Sequence, residues 1–194
     1  MSKGRLEAFS DGVLAIIITI MVLDLRPPRD ATLDALRPLV PVFLSYLLSF
    51  VFLGIYWNNH HHLLQAARHV DGRVLWANLH LLFWLSLTPF VTSWMGATSF
   101  APLPVAAYGA VMFLSGLAYY ILTWILIAHH GKESPLATAV GKDQKGKLSL
   151  LIYALAMAVS FAEPYVACAL YVLVAMIWFV PDRRIETTLA EKAS

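Results

Sequence analysis

Seven histidines and a handful of acids are the side chains in this 194-residue sequence that could bind a metal or move a proton. His60, His61 and His62 are consecutive, so on a helix they fan out by about 100° each and cannot converge on one ion. A bis-histidine haem needs two rings at similar depth on different helices; His80 could supply one, and spacing offers no second. No metal and no cofactor is expected, and the single cysteine, Cys168, has no intrachain thiol to pair with. The acids are more telling. Asp11 and Asp24 bracket twelve uncharged residues, with Arg5 and Glu7 just before them. In apolar surroundings such carboxylates must meet a donor or reach water, so their chemistry is electrostatic.

The elements that must position these groups follow from composition. The chain is 59% hydrophobic and 13% charged, with a mean hydropathy of +0.68. Soluble chains average roughly 45–50% apolar and about 25% charged. This is the composition of an all-α integral membrane protein, not of a soluble enzyme or a nucleic-acid-binding domain. A net charge of +2 is too small to argue for a polyanionic partner. No charged residue lies between Arg37 and Arg68, or across the 58 residues between Arg73 and Lys132. Apolar runs between turn signals predict six transmembrane helices, at about 5–25, 39–62, 74–95, 104–129, 147–162 and 164–180. Residues 1–181 form one membrane domain and 182–194 a short tail. Pro27–Pro28, Pro102, Pro104 and Glu163–Pro164 supply the breaks. Eleven Lys and Arg fall at the amino-terminal end, the second–third and fourth–fifth connections and the tail, against Arg26, Arg29 and Arg37 opposite. Both termini are therefore expected in the cytoplasm. Glu7 and Asp11 interrupt any signal-peptide pattern, so the first segment is expected to stay in the mature protein.

The first helix is the exception among the six. Twelve uncharged residues span roughly 18 Å as a helix, short of a hydrocarbon core of about 30 Å. Either this helix does not span, or its two aspartates lie within membrane depth and must face protein or water. Gly12, Ile16, Thr19, Ile20 and Leu23 share one stripe at helical spacing, while Ser10 and Asp11 make a polar corner near the cytoplasmic end. That stripe packs in a core or lines a path. Asp11 points away from it and needs a donor on a neighbouring helix, for which Asn78 and His80 of the third helix are candidates.

The heptad Arg5-Leu6-Glu7-Ala8-Phe9-Ser10-Asp11 resembles the Arg-x-x-x-Phe-Ser-Asp signature of the transmembrane protein 175 family of potassium channels. Ile55 to His61, Leu75 to Leu79 and Ser86 to Phe90 look like the same family, and the last three helices are generic. The resemblance implies a potassium-selective cation channel, not an enzyme, whose central pore is lined by the first helix. A hydrophobic constriction would replace the Thr-Val-Gly-Tyr-Gly carbonyl filter, which is absent here. It implies Ile16 as the constriction, Thr19 as a hydroxyl layer, and Ile20 and Leu23 as further apolar layers, the same residues as the stripe found from spacing. Arg5, Phe9, Ser10 and Asp11 would then be structural or gating-related. With one set of six helices, the chain looks like a prokaryotic member assembled as a homotetramer in the cell membrane, partnered by lipids and its own copies.

A secondary transporter of a cation or small solute is the rival class. It should show an internal repeat and a charged midplane site. The halves 1–97 and 98–194 share no motif, and Glu163 is the only acid between Lys147 and Asp182. Trp57, Trp76, Trp94 and Trp178 are expected at interfaces, and Trp84 and Trp124 in deeper packing. Ser115, Gly116 and Ala118 suit close helix contact.

Overall fold

A computed structural model of the chain describes residues 2–67, 69–131, 137 and 143–179. Arg68, Lys132, Lys142 and the expected tail 182–194 lie outside the described residues. The described residues are helical, without strands. Helix α1 (Lys3–Leu23) leads through a 3-10 turn (Asp34–Leu39) into α2 (Val40–Ala66). Then come α3 (Gly72–Ser86), α4 (Thr88–Ala97), α5 (Pro102–His130), α6 (Gln144–Val159) and α7 (Pro164–Phe179). All six expected helices are present within a few residues of their expected bounds.

The third expected helix is broken in two. Pro89 has no N–H to give the carbonyl of Leu85 and its ring crowds that turn, so α3 ends at Ser86 and α4 restarts beyond Leu87. Four stretches are long and apolar enough to cross a membrane: Lys3–Leu23, Asp34–Ala66, Gly72–Ala97 and Pro102–His130. Helices α6 and α7 have 16 residues each, roughly 24 Å of helix, and make a shorter hairpin. The chain is a multi-pass membrane protein.

Two apolar cores follow one another along the bundle. Leu14, Ile17 and Met21 of α1 pack with Leu53, Leu63 and Leu64 of α2, Leu81 of α3, and Leu122 and Leu126 of α5. Phe52, Met95, Tyr108, Met112, Tyr153 and Tyr171 centre the other, among α2, α4, α5, α6 and α7. A buried hydroxyl cluster stitches the second core: Ser49 Oγ lies 2.7 Å from Thr92 Oγ1 and 3.2 Å from the Tyr108 hydroxyl. Two glycines permit backbone approach there. A Cβ at Gly96 would stand 2.8 Å from Val42 Cα, and one at Gly109 would overlap the Tyr171 hydroxyl, which donates to Val105 O at 3.0 Å. Ser115 and Ala118 are fully buried, as their size suggests. Trp124 departs from expectation, being 63% exposed on the outer surface of α5 where a packed ring was anticipated. Core positions on that helix fall instead to Leu122, Thr123 and Leu126.

Among the described residues, the start of α1 meets the end of α2, and the end of α5 meets the α2–α3 connection. Lys3 Nζ donates to Gln65 O at 3.2 Å, tying the start of α1 to the end of α2. The last turn of α5 meets the α2–α3 connection: His69 N–H donates to His130 Nε2 at 3.2 Å, and His129 Nδ1 is 3.6 Å from Asp71. Asp71 also caps α3, accepting from Val74 N–H at 2.9 Å.

Candidate functional site

Helix α1 lies at the edge of the bundle, against α2, α3 and α4, and shows two contrasting faces. Leu6, Ser10, Leu14, Ile17 and Met21 recur at helical spacing and are buried. On the other side Arg5, Phe9, Gly12, Ile16, Thr19, Ile20 and Leu23 are all exposed on the single chain. Ile16 is 58% exposed, Ile20 46% and Leu23 76%. Among the described residues, the stripe found from spacing is therefore not packed against another element of its own chain. Thr19 folds its hydroxyl back to donate to Ile16 O at 2.9 Å, which leaves the oxygen lone pairs on the outward side.

Behind that stripe a polar relay holds the helix. Ser10 Oγ–H donates to Leu6 O at 2.9 Å and accepts from Asn78 Nδ2 at 2.9 Å. Asn78 Oδ1 lies 2.7 Å from His60 Nε2. An amide oxygen can only accept, so Nε2 carries the proton and the three groups form one directed chain from α2 through α3 to α1. Ser10 and Asn78 are wholly buried and His60 is 2% exposed. In such surroundings unmade hydrogen bonds are costly, so the relay fixes both the rotation and the height of α1.

This arrangement corrects the expected partner of Asp11. Its Oδ1 accepts from Trp57 Nε1 on α2 at 3.0 Å, at the exposed flank of the bundle, rather than from Asn78 or His80. Asn78 goes to Ser10 instead. His80 is exposed and accepts from Trp84 Nε1, one turn along its own helix, at 2.9 Å, so it stands apart from the relay. The anticipated polar corner is thus divided: Ser10 turns inward, and Asp11, 100° further round, turns to the flank. The residue that sequence reasoning missed is His60. Its signal was positional, because Phe52, Tyr56, His60 and Leu63 fall at successive buried turns of α2, which puts a histidine where an apolar residue belongs. The other two neighbouring rings go elsewhere: His61 stacks on Trp57 with centroids 6.1 Å apart and meets His62 edge-on. Among the described residues no His, Cys, Asp and Glu cluster has the grouping of a metal site.

Comparison with known proteins bears on the fold and the family of the chain. Residues 5–89, spanning α1 to the α3–α4 break, match the family described as endosomal/lysosomal potassium channel TMEM175. A potassium channel of Chryseobacterium is 53% identical over 191 residues, 98% of this chain and 100% of the relative. The match to a potassium channel of Streptomyces collinus is 33% over 132 residues, 64% of each. An endosomal/lysosomal proton channel TMEM175 from Gallus gallus is 29% identical over 187 residues, covering 88% of this chain but 37% of that longer protein. The crystal structure of a lysosomal potassium-selective channel TMEM175 homolog from Chamaesiphon minutus superposes with a TM-score of 0.81 at 24% identity, over 93% of this chain and 97% of that one, which establishes the shared fold. The chain belongs to the TMEM175 family, a family of ion channels and not of enzymes.

Proposed function

We propose that this chain is a potassium channel of the cell membrane, in which four copies surround an axis and the outward stripe of α1 lines the pore. One observation carries the reading: an apolar helix holds one face in its own bundle through a buried relay while Ile16, Ile20 and Leu23 on the other face are left uncovered. The full-length bacterial relative named as a potassium channel supplies the ion. Both chain ends then lie on the cytoplasmic side, following the distribution of Lys and Arg.

In this reading Ile16 forms the constriction. A ring of four isoleucines offers no oxygen to replace an ion's water, so it blocks by dewetting when narrow and passes hydrated or partly stripped ions when wide. Potassium gives up water more readily than sodium, which favours it at such a neck. Thr19, one turn on, has its proton committed to Ile16 O and so presents an acceptor oxygen, suited to a cation and not to an anion. Ile20 and Leu23 continue the apolar lining, while Arg5 and Phe9 lie on the same face at the cytoplasmic end and Asp11 flanks it. Ser10, Asn78 and His60 act from behind, holding the stripe toward the axis. The test is Ile16→Asn in a planar bilayer under biionic potassium and sodium. Conductance should rise and the reversal potential should move toward zero; an unchanged reversal potential removes Ile16 from the constriction.

A further inference from the structure

The two apolar cores of the bundle meet at a polar layer away from α1. Along α3 and α4 the last buried residue of the first core is Leu85 and the first of the second is Val91, with Thr88 between them. Along α5 the second core reaches Met112 and the first resumes at Ala118, with Ser115 between them. Thr88 and Ser115 are both wholly buried. Neither hydroxyl has a hydrogen-bond partner among the described residues. A buried hydroxyl left unpaired costs stability, and folded proteins leave few of them.

Helix register sets these two hydroxyls at one depth. Ser49 Oγ touches both Thr92 Oγ1 and the Tyr108 hydroxyl, so α4 and α5, antiparallel across a short turn, are about level at those two residues. Seven residues further, roughly 10 Å along each helix, stand Leu85 and Ser115. Thr88 lies between Leu85 and Thr92, one turn from Thr92 on the same buried face. The α3–α4 break adds an acceptor at this depth. Pro89 has no N–H for Leu85 O, which receives instead the Leu87 N–H that it shares with Trp84 O. A carbonyl oxygen so placed keeps a lone pair free. From α2 the Tyr56 hydroxyl reaches the same turn of α5, pointing to Met112 O at 3.5 Å, longer than a full O–H···O bond. A cavity of about 40 Å³ bordered by Tyr56 and Gly116 adjoins the layer, with space for a few guests of water size at roughly 10–15 Å³ each.

Among the described residues no Asp, Glu, Lys or Arg is buried, so this layer holds neutral donors and acceptors and nothing to balance an ion. We propose that Thr88, Ser115 and the Leu85 carbonyl bind an internal water molecule, which bridges the α3–α4 break to α5. Water can accept from one hydroxyl while it donates to the other and to the carbonyl, three bonds being usual for a buried molecule. The site does not depend on the pore reading, because α1 contributes nothing to it.

A density map of the full chain in lipid nanodiscs, at a resolution that shows ordered water, tests the assignment. A peak is expected within hydrogen-bond distance of both Thr88 Oγ1 and Ser115 Oγ. Thr88→Val, which keeps the shape and removes the hydroxyl, should lose it. Thermal unfolding gives a second readout. Thr88→Val and Ser115→Ala should each lower the midpoint by about 2–4 °C. Together they should lower it by less than the sum, because the first substitution already releases the water. A higher midpoint on removing either hydroxyl would mean that the group is unpaired in the folded protein. Additive losses would mean that each hydroxyl bonds separately within its own helix. Either result overturns the proposal, as does a map with no peak in the layer or with one that touches a single hydroxyl.

Discussion

Asn78 is the residue on which the placement of α1 turns, because it hydrogen-bonds both Ser10 and His60. Asn78→Leu leaves the His60 N–H without an acceptor and the Ser10 oxygen without a donor, each at a cost of about 1–3 kcal/mol. His80→Ala, on the same helix but exposed, should change stability by less than about 0.5 kcal/mol. Thermal unfolding of both variants in one detergent checks the contrast, and equal shifts would dismiss the relay as an anchor. The sequence made half of this site readable. Helical spacing gave the direction of each α1 side chain, and so separated the stripe from Asp11. It carried no information on which neighbour stands opposite, since that depends on how α2 and α3 lean against α1. Asp11 was therefore assigned to α3 when its donor is Trp57 of α2, and His60 was weighed only as a metal ligand.

The same division holds for whole helices. Charge-free runs and prolines locate all six, because membrane depth imposes length and proline imposes ends. The break at Leu87 was also written in the sequence, as Pro89, yet hydropathy runs straight across it. Close packing of one helix on another was less legible. Gly109 reads as an ordinary glycine in an apolar run until Tyr171 of α7 is set against it. Gly109→Ala should destabilise the α5–α7 contact by about 1–3 kcal/mol, the usual cost of overpacking. Tyr171→Phe removes the overlapping oxygen, so the double variant should lose less than the sum of the two single ones, as a double-mutant cycle of unfolding would read. The α3 cap makes a further, pH-dependent prediction. The Val74 N–H, and secondarily the neighbouring His129, hold the Asp71 carboxyl below its ordinary range. A carboxylate depressed by folding stabilises above its unfolded pKa and loses that contribution as pH falls through its folded one. Amide exchange at Val74 should therefore quicken as pH drops below the ordinary aspartate range, beyond the intrinsic change. In Asp71→Asn, which has no proton to take up, that extra acceleration should vanish.

For the molecule as a whole, among the described residues α1 carries the face least suited to lipid. Lipid can cover the outer apolar faces of α2, α5 and α7, but a helix that exposes Thr19 and the Arg5 guanidinium in line with Ile16 and Leu23 is poorly suited to face acyl chains along its whole length. In the proposed assembly, copies of the chain around an axis would resolve this by giving that face a water-filled path, with the apolar residues as a gate in place of a lipid contact. Two measurements separate the alternatives. Native mass spectrometry of the solubilised protein should give four chains, and a monomer or dimer would contradict a pore built from four stripes. In a Cys168→Ser background, Leu23→Cys should react with a charged, membrane-impermeant thiol reagent applied from the non-cytoplasmic side, and the potassium current should fall as it does so. Leu14→Cys, on the buried face of the same helix at 1% exposure, should stay unmodified over the same period. If Leu23→Cys instead reacts only with lipid-soluble reagents, the stripe faces the bilayer, and the pore must be sought on a surface other than α1.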